Sequence, residues 1–84
     1  MEDIAKVVHN FILREFLPGE DSTELTDQTP LITGGILDSI RTLKLVVFLE
    51  EHFAISIEAY EAGVEHLDSI DQIASLVAAK KQAA

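Results

Sequence analysis

One serine in this chain stands where its hydroxyl has chemistry to offer. In Gly34-Gly35-Ile36-Leu37-Asp38-Ser39-Ile40, Ser39 follows a glycine pair and opens a strongly apolar stretch. A serine oxygen becomes a good nucleophile only beside a base that takes its proton, and the sequence places no His or Lys as that base. Ser39 therefore reads either as a group acted on by another protein or as a helix cap, because a serine side chain accepts from a backbone amide two or three residues on. The short motif does not choose between these readings, since Leu-Asp-Ser-Ile occurs at Leu37 to Ile40 and again at Leu67 to Ile70. Ser69 has Gln72 at capping-box spacing and no glycine pair before it, and is expected to be a cap. Ser39 has Thr42 at the equivalent place, which completes no box, so its setting makes it the candidate site.

The elements that must position Ser39 follow from periodicity. Ile4, Val7, Val8, Phe11 and Ile12 recur at helical spacing, with Phe16 one turn on, and predict a first helix stopped by Pro18-Gly19. A long loop follows, polar from Glu20 to Thr29 and broken only by Leu25; Leu25, Leu31, Ile32, Ile36 and Leu37 are placed to pin it to the helices. Gly34-Gly35 permits the sharp turn, positive φ included, into the next helix. That helix is predicted from about Ser39 to His52, with one apolar stripe of Leu45, Val46, Leu49 and Phe53 and another of Ile40, Leu43 and Val47. A surface helix needs one stripe. The second either lines a pocket or meets a partner, or it marks a central helix packed on several sides.

Ile55-Ser56-Ile57 reads as a linker, and Glu58 to Ala62 as a short helix with Gly63 at its C-terminal end. A last helix is predicted from near Ser69, with Ile70, Ile73, Ala74 and Val77 inward and Lys80 and Lys81 at the negative end of its dipole. The expected fold class is all-α: one domain over residues 1–84, a small four-helix bundle of three main helices and a short third, with the long loop between helices 1 and 2.

Charge and composition exclude several functions. Six basic residues against fifteen acidic give 6 − 15 = −9, which disfavours phosphate backbones and anionic lipid and suits docking onto basic patches of other proteins. No nucleic-acid or membrane partner is expected. Arg41 and Lys44 stand between two acidic tracts. With no cysteine there is neither a disulfide framework nor a thiolate metal site. His9, His52 and His66 share no metal-ligand spacing, and Glu50 and Glu51 diverge on a helix too far to act as a catalytic pair. Neither a basic, apolar leader nor a membrane-length apolar run is present, so the expected location is the cytoplasm.

The Thr29-Pro30-Leu31 to Asp38-Ser39 run, the Leu49-Glu50-Glu51-His52-Phe53 helix end and the short third helix resemble the acyl and peptidyl carrier proteins over essentially the whole chain. The approach to the serine looks most like stand-alone carriers and those of peptide and aminoacyl systems. The resemblance implies a non-enzymatic monomer with 4'-phosphopantetheine linked by a phosphodiester to Ser39, holding an acyl or aminoacyl group as a thioester. A phosphodiester there would face the unpaired amides and positive end of a helix dipole. Implied partners are a phosphopantetheinyl transferase, a loading ligase and downstream synthase or transferase enzymes. Implied recognition residues are Asp38, Ile40, Arg41, Leu43, Lys44, Val47, Glu50 and Tyr60, with the acids from Glu58 onward. Tyr60 is expected in the partial core, or at the edge of the pocket beside the arm. Arg41 and Lys44 depart from fatty-acid carriers, which usually bear acids there, and so point to a dedicated partner set. Fatty-acyl, polyketide, aminoacyl and D-alanyl cargo are not separated, because the loading enzyme chooses the cargo. The alternative is a small acidic helical interaction module with no prosthetic group.

Overall fold

The computed structural model describes residues 3–16 and 25–83, and all regular structure among them is helical. The expected Pro18-Gly19 stop and the Glu20 to Glu24 part of the loop lie outside the described residues. Helix α1 spans Ile4–Phe16, α2 Ser39–Phe53, α3 Val64–Leu67 and α4 Ile70–Ala83, with a 3-10 turn at Ala59–Glu61 ahead of α3. The molecule is a small helical bundle in which α4 packs on α1, α2 and α3.

The apolar spacing of each long helix decides which side faces in. Val8, Phe11, Ile12 and Phe16 of α1 are buried, as are Leu45, Val46, Leu49 and Phe53 of α2. From α4, Ile70, Ile73 and Val77 are fully covered. Burying an aliphatic or aromatic side chain of this size contributes about 1.5–3 kcal/mol before the opposing chain entropy. Phe11 stacks face to face on Phe48, with ring centroids 3.9 Å apart, and so bridges α1 to α2. Leu25, Leu31 and Leu37 of the long loop enter the same core, with Ile32 and Ile36 partly buried against it, in the pinning role expected of them.

The short helix expected at Glu58 to Ala62 is present as the 3-10 turn Ala59–Glu61, capped by Glu58 and Ala62, but the role of Gly63 is corrected: at φ −139° it is the N-cap of a separate α3. Gly63 is thus extended rather than left-handed, and it starts a helix instead of ending one. The helix end that does use a left-handed residue is that of α2, where Ala54, at φ 55° and ψ 49°, donates its N–H to the Glu50 carbonyl.

Lys80 does more than face the end of the α4 dipole. Its Nζ lies 2.5 Å from Glu61 Oε1, and Glu61 is buried, so this ion pair fastens the 3-10 turn to α4. The Lys80 ammonium and then the Glu58 backbone N–H hold the Glu61 carboxyl below the usual carboxylate range. In turn, the bond to Glu61 raises Lys80 above the usual ammonium range. The depressed acid stabilises the fold above its unfolded-state pKa, and that contribution is lost as pH falls through the folded value. The raised base stabilises below its unfolded-state pKa, and that contribution is lost as pH rises through the folded value. Thermal unfolding across pH should therefore show a plateau with an acid and an alkaline fall, and Glu61→Gln should flatten both limbs; limbs identical to wild type would show that the pair contributes nothing.

Candidate functional site

The two Leu-Asp-Ser-Ile segments fold in registers one residue apart. At the first, Asp38 is the N-cap: its Oδ1 accepts from the Arg41 amide at 2.8 Å, and its carbonyl accepts from the Thr42 amide at 2.9 Å. Ser39 is consequently the first helical residue and is exposed, and among the described residues its hydroxyl makes no hydrogen bond. In the second, α4 starts at Ile70 and Ser69 is the cap, its Oγ accepting from the Gln72 amide at 3.1 Å. Gln72 reaches back to the amide of Asp68, one residue before the position that a strict capping box would use. Capping occupies Ser69; at Ser39 the neighbouring aspartate has taken that role.

The approach to Ser39 is a compact turn. Leu37 donates to the Leu31 carbonyl at 2.9 Å, and Gly35 to Ile32 at 3.2 Å. A Cβ on Gly34 would sit 2.2 Å from the Pro30 carbonyl oxygen, so no larger residue fits there without moving the backbone. Gly35 occupies φ +86°, where a side chain is strained. Both glycines serve geometry, and the turn they allow delivers Asp38 to the capping position.

Ser39 lies at one end of an open groove of about 830 Å³ between α2 and the segment from Ile57 to Val64. Asp38, Leu43 and Glu50 line it, together with Thr42, Val46 and Ile57, which the sequence places at the capping-box position after Ser39, in the inward stripe and in the linker, and with Val64, which no sequence pattern marked. Val64 is 48% exposed, and its place beside the groove follows from α3 starting after Gly63. Ile40, Leu43 and Val47 are 67%, 64% and 43% exposed, so the second stripe of α2 is an open face and not a packed one. Tyr60 is 80% exposed and is absent from the groove lining, which corrects its expected place in the core or at the pocket edge.

Glu50 is partly engaged, accepting from the Ile57 amide at 2.9 Å and so holding the linker that follows α2. Lys44 is exposed on the same helix. Arg41 is exposed too, but its Nη1 donates to the Ile36 carbonyl at 3.1 Å, and its guanidinium lies 5.9 Å from the Phe16 ring centre. It braces the turn against α1, a role the charge pattern did not suggest.

No family model matches the chain. Over 73 residues it is 34% identical to D-alanyl carrier proteins from two strains of Streptococcus suis, an alignment covering 87% of this chain and 89% of each of those proteins. The D-alanyl carrier protein of Streptococcus mutans serotype c is 35% identical over 54 residues, 64% of this chain and 67% of that protein. The chain belongs to the D-alanyl carrier protein family. Its members are stand-alone phosphopantetheine carriers, not enzymes, and a covalent 4'-phosphopantetheine is their prosthetic group. The carrier role implies a phosphopantetheinyl transferase to install that group and a ligase to load it. No helix among the described residues is long and apolar enough to cross a membrane.

The registers make opposite forecasts for the two serines of this carrier. Ser69→Ala removes a cap and should cost about 0.5–2 kcal/mol of stability, as should Asp38→Ala. Ser39→Ala removes a hydroxyl without partners and should stay within about 0.5 kcal/mol of wild type. Urea unfolding of the three variants checks this, and equal losses for both serines would refute the assignment of caps.

Proposed function

We propose that this chain, as a single carrier domain over residues 1–84, bears its 4'-phosphopantetheine on Ser39 and carries a D-alanyl group. The observation that carries the site is the difference between the two serines: Ser69 is spent on a cap, whereas Ser39 is exposed at the first position of α2 with an unengaged hydroxyl. The cargo reading follows the relatives, which are named for D-alanine. When bound, the group supplies a terminal thiol that holds the aminoacyl cargo as a thioester.

The residues around Ser39 fit such a group. The first backbone amides of α2 have no partner within the helix, and Asp38 satisfies those of Arg41 and Thr42 but not those of Ser39 and Ile40. The free amides and the positive end of the helix dipole favour a phosphodiester at Ser39. Exposure lets a transferase reach the oxygen, and that enzyme must supply the base, since no side chain among the described residues hydrogen-bonds the hydroxyl.

Ile40, Leu43 and Val47 form an apolar patch beside Ser39, and the groove is lined by Asp38 at the N-terminal end of α2 and by Glu50 in its last turn. An apolar centre with a charged rim is the usual anatomy of a protein interface. The transferase and the D-alanine-loading ligase dock here, and the carrier works as a cytoplasmic monomer. Lys44 contributes a cation that an acidic patch on the ligase reads. Because Arg41 also braces the turn, Lys44→Glu is the cleaner probe of that contact.

Incubation with coenzyme A and a promiscuous phosphopantetheinyl transferase should add one phosphopantetheine to wild type and to Ser69→Ala, and none to Ser39→Ala, by intact mass. Addition to Ser39→Ala would overturn the site. Holo carrier given D-alanine, ATP and its ligase should gain one alanyl mass, and Lys44→Glu should raise the ligase KM about three- to tenfold, the size of one interfacial charge contact of about 1 kcal/mol. An unchanged KM would remove Lys44 from the interface.

A further inference from the structure

Asp68 ties the turn before Ser39 to α3, the short helix whose first residue, Val64, lines the groove opposite α2. It is the C-cap of that helix. Its Oδ1 accepts from the Ile32 and Thr33 amides, each at 2.8 Å, and the Thr33 hydroxyl donates to Oδ2 at 3.0 Å. The Asp68 carbonyl accepts from Leu31 at 2.6 Å. Leu31 in turn holds Leu37 through its own carbonyl, and Leu37 is bonded to the cap Asp38 in sequence. Ile32, whose amide Asp68 holds, itself lines the groove. The N–H and O–H donors, led by the Thr33 amide, keep the Asp68 carboxyl below the usual carboxylate range, so it is a charged acceptor.

We infer that Asp68 is a positioning residue for modification: it holds Ser39 and the α3 edge in one fixed arrangement, so that an enzyme docking across the groove finds both at once. The inference rests on Ser39 being the attachment serine. The cap of α2, the turn and the first helical residue form one short rigid path from Asp68, whereas α3 has a single turn of helix and little stiffness of its own. Without the carboxylate the turn and α3 would sample several relative positions, of which the transferase binds one. Apparent affinity then falls by the fraction of competent molecules, while the bound complex reacts as before.

Steady-state kinetics of the transferase separate this role from a loss of stability. Asp68→Ala should raise KM for the carrier about tenfold with kcat within about twofold. Asp68→Asn keeps an oxygen acceptor for the Ile32 and Thr33 amides and should bring KM back to within about threefold of wild type. Val77→Ala, which thins the α4 core away from the turn, is the control for destabilisation and should leave KM unchanged. Hydrogen exchange should quicken at the Ile32, Thr33 and Leu37 amides in Asp68→Ala but not selectively in Val77→Ala. If Asp68→Ala does not fold, Thr33→Val, which removes only the hydroxyl bonds, should still raise KM about two- to threefold. A KM for the Asp68 and Thr33 variants equal to that of Val77→Ala would overturn the inference. Failure of wild type to be modified at Ser39 would instead overturn the reading on which it rests.

Discussion

The bonds that fasten the long loop to the α3–α4 corner are the constraint on which the rest of the molecule depends. From Leu25 to Asp38 the backbone has few partners of its own, chiefly short turn contacts such as Thr29 to Thr26 and Leu37 to Leu31. Buried backbone polar groups without partners are costly, yet Leu25, Leu31 and Leu37 must enter the core. The fold resolves this from outside the loop. His9 Nε2 donates to the Leu25 carbonyl at 2.9 Å, Asp71 donates its amide to the Asp27 carbonyl at 3.0 Å, and Asp68 accepts from Ile32 and Thr33. Loop and helices are therefore stable only together.

From that anchoring follows the geometry at Ser39. A turn held at Asp68 and sharpened by Gly34-Gly35 brings Asp38, not Ser39, to the point where α2 begins. Carboxylate and hydroxyl compete for the same first-turn amide, and only one residue can occupy the cap. Aspartate at the cap leaves the serine one step inside the helix, exposed, with the dipole and open amides directed toward its oxygen. Serine at the cap, as at Ser69, uses up the same hydroxyl. A protein whose chemistry depends on one accessible oxygen needs the first arrangement.

The charges are divided in a comparable way. Arg41 and Lys80 both contribute to holding the molecule together, one at the Ile36 carbonyl and Phe16, the other at Glu61. Lys44 stays exposed on α2, in a chain of net charge −9. The face around Ser39 accordingly presents apolar residues, carboxylates and this ammonium, while the other basic side chains near the core are committed to structure.

The helical class, the inward stripes of α1, α2 and α4, the loop anchors Leu25, Leu31 and Leu37, and Ser39 as the candidate were all legible in the sequence. These are properties of short-range spacing and residue type, which a helix converts directly into faces. The sequence also showed that a second apolar stripe on α2 existed, but not whether Ile40, Leu43 and Val47 were open, because exposure depends on which neighbours arrive. The register of the two repeated quartets was likewise decided in three dimensions. So were the place of Asp68, the brace made by Arg41, the exposed position of Tyr60, the left-handed Ala54 and the start of α3 after Gly63. Each depends on partners far along the chain, such as Thr33 with Asp68 or Glu61 with Lys80, or on a backbone conformation that neighbouring residue types do not dictate. Local pattern carries no record of those meetings, since their energy exists only once the core has brought the segments together.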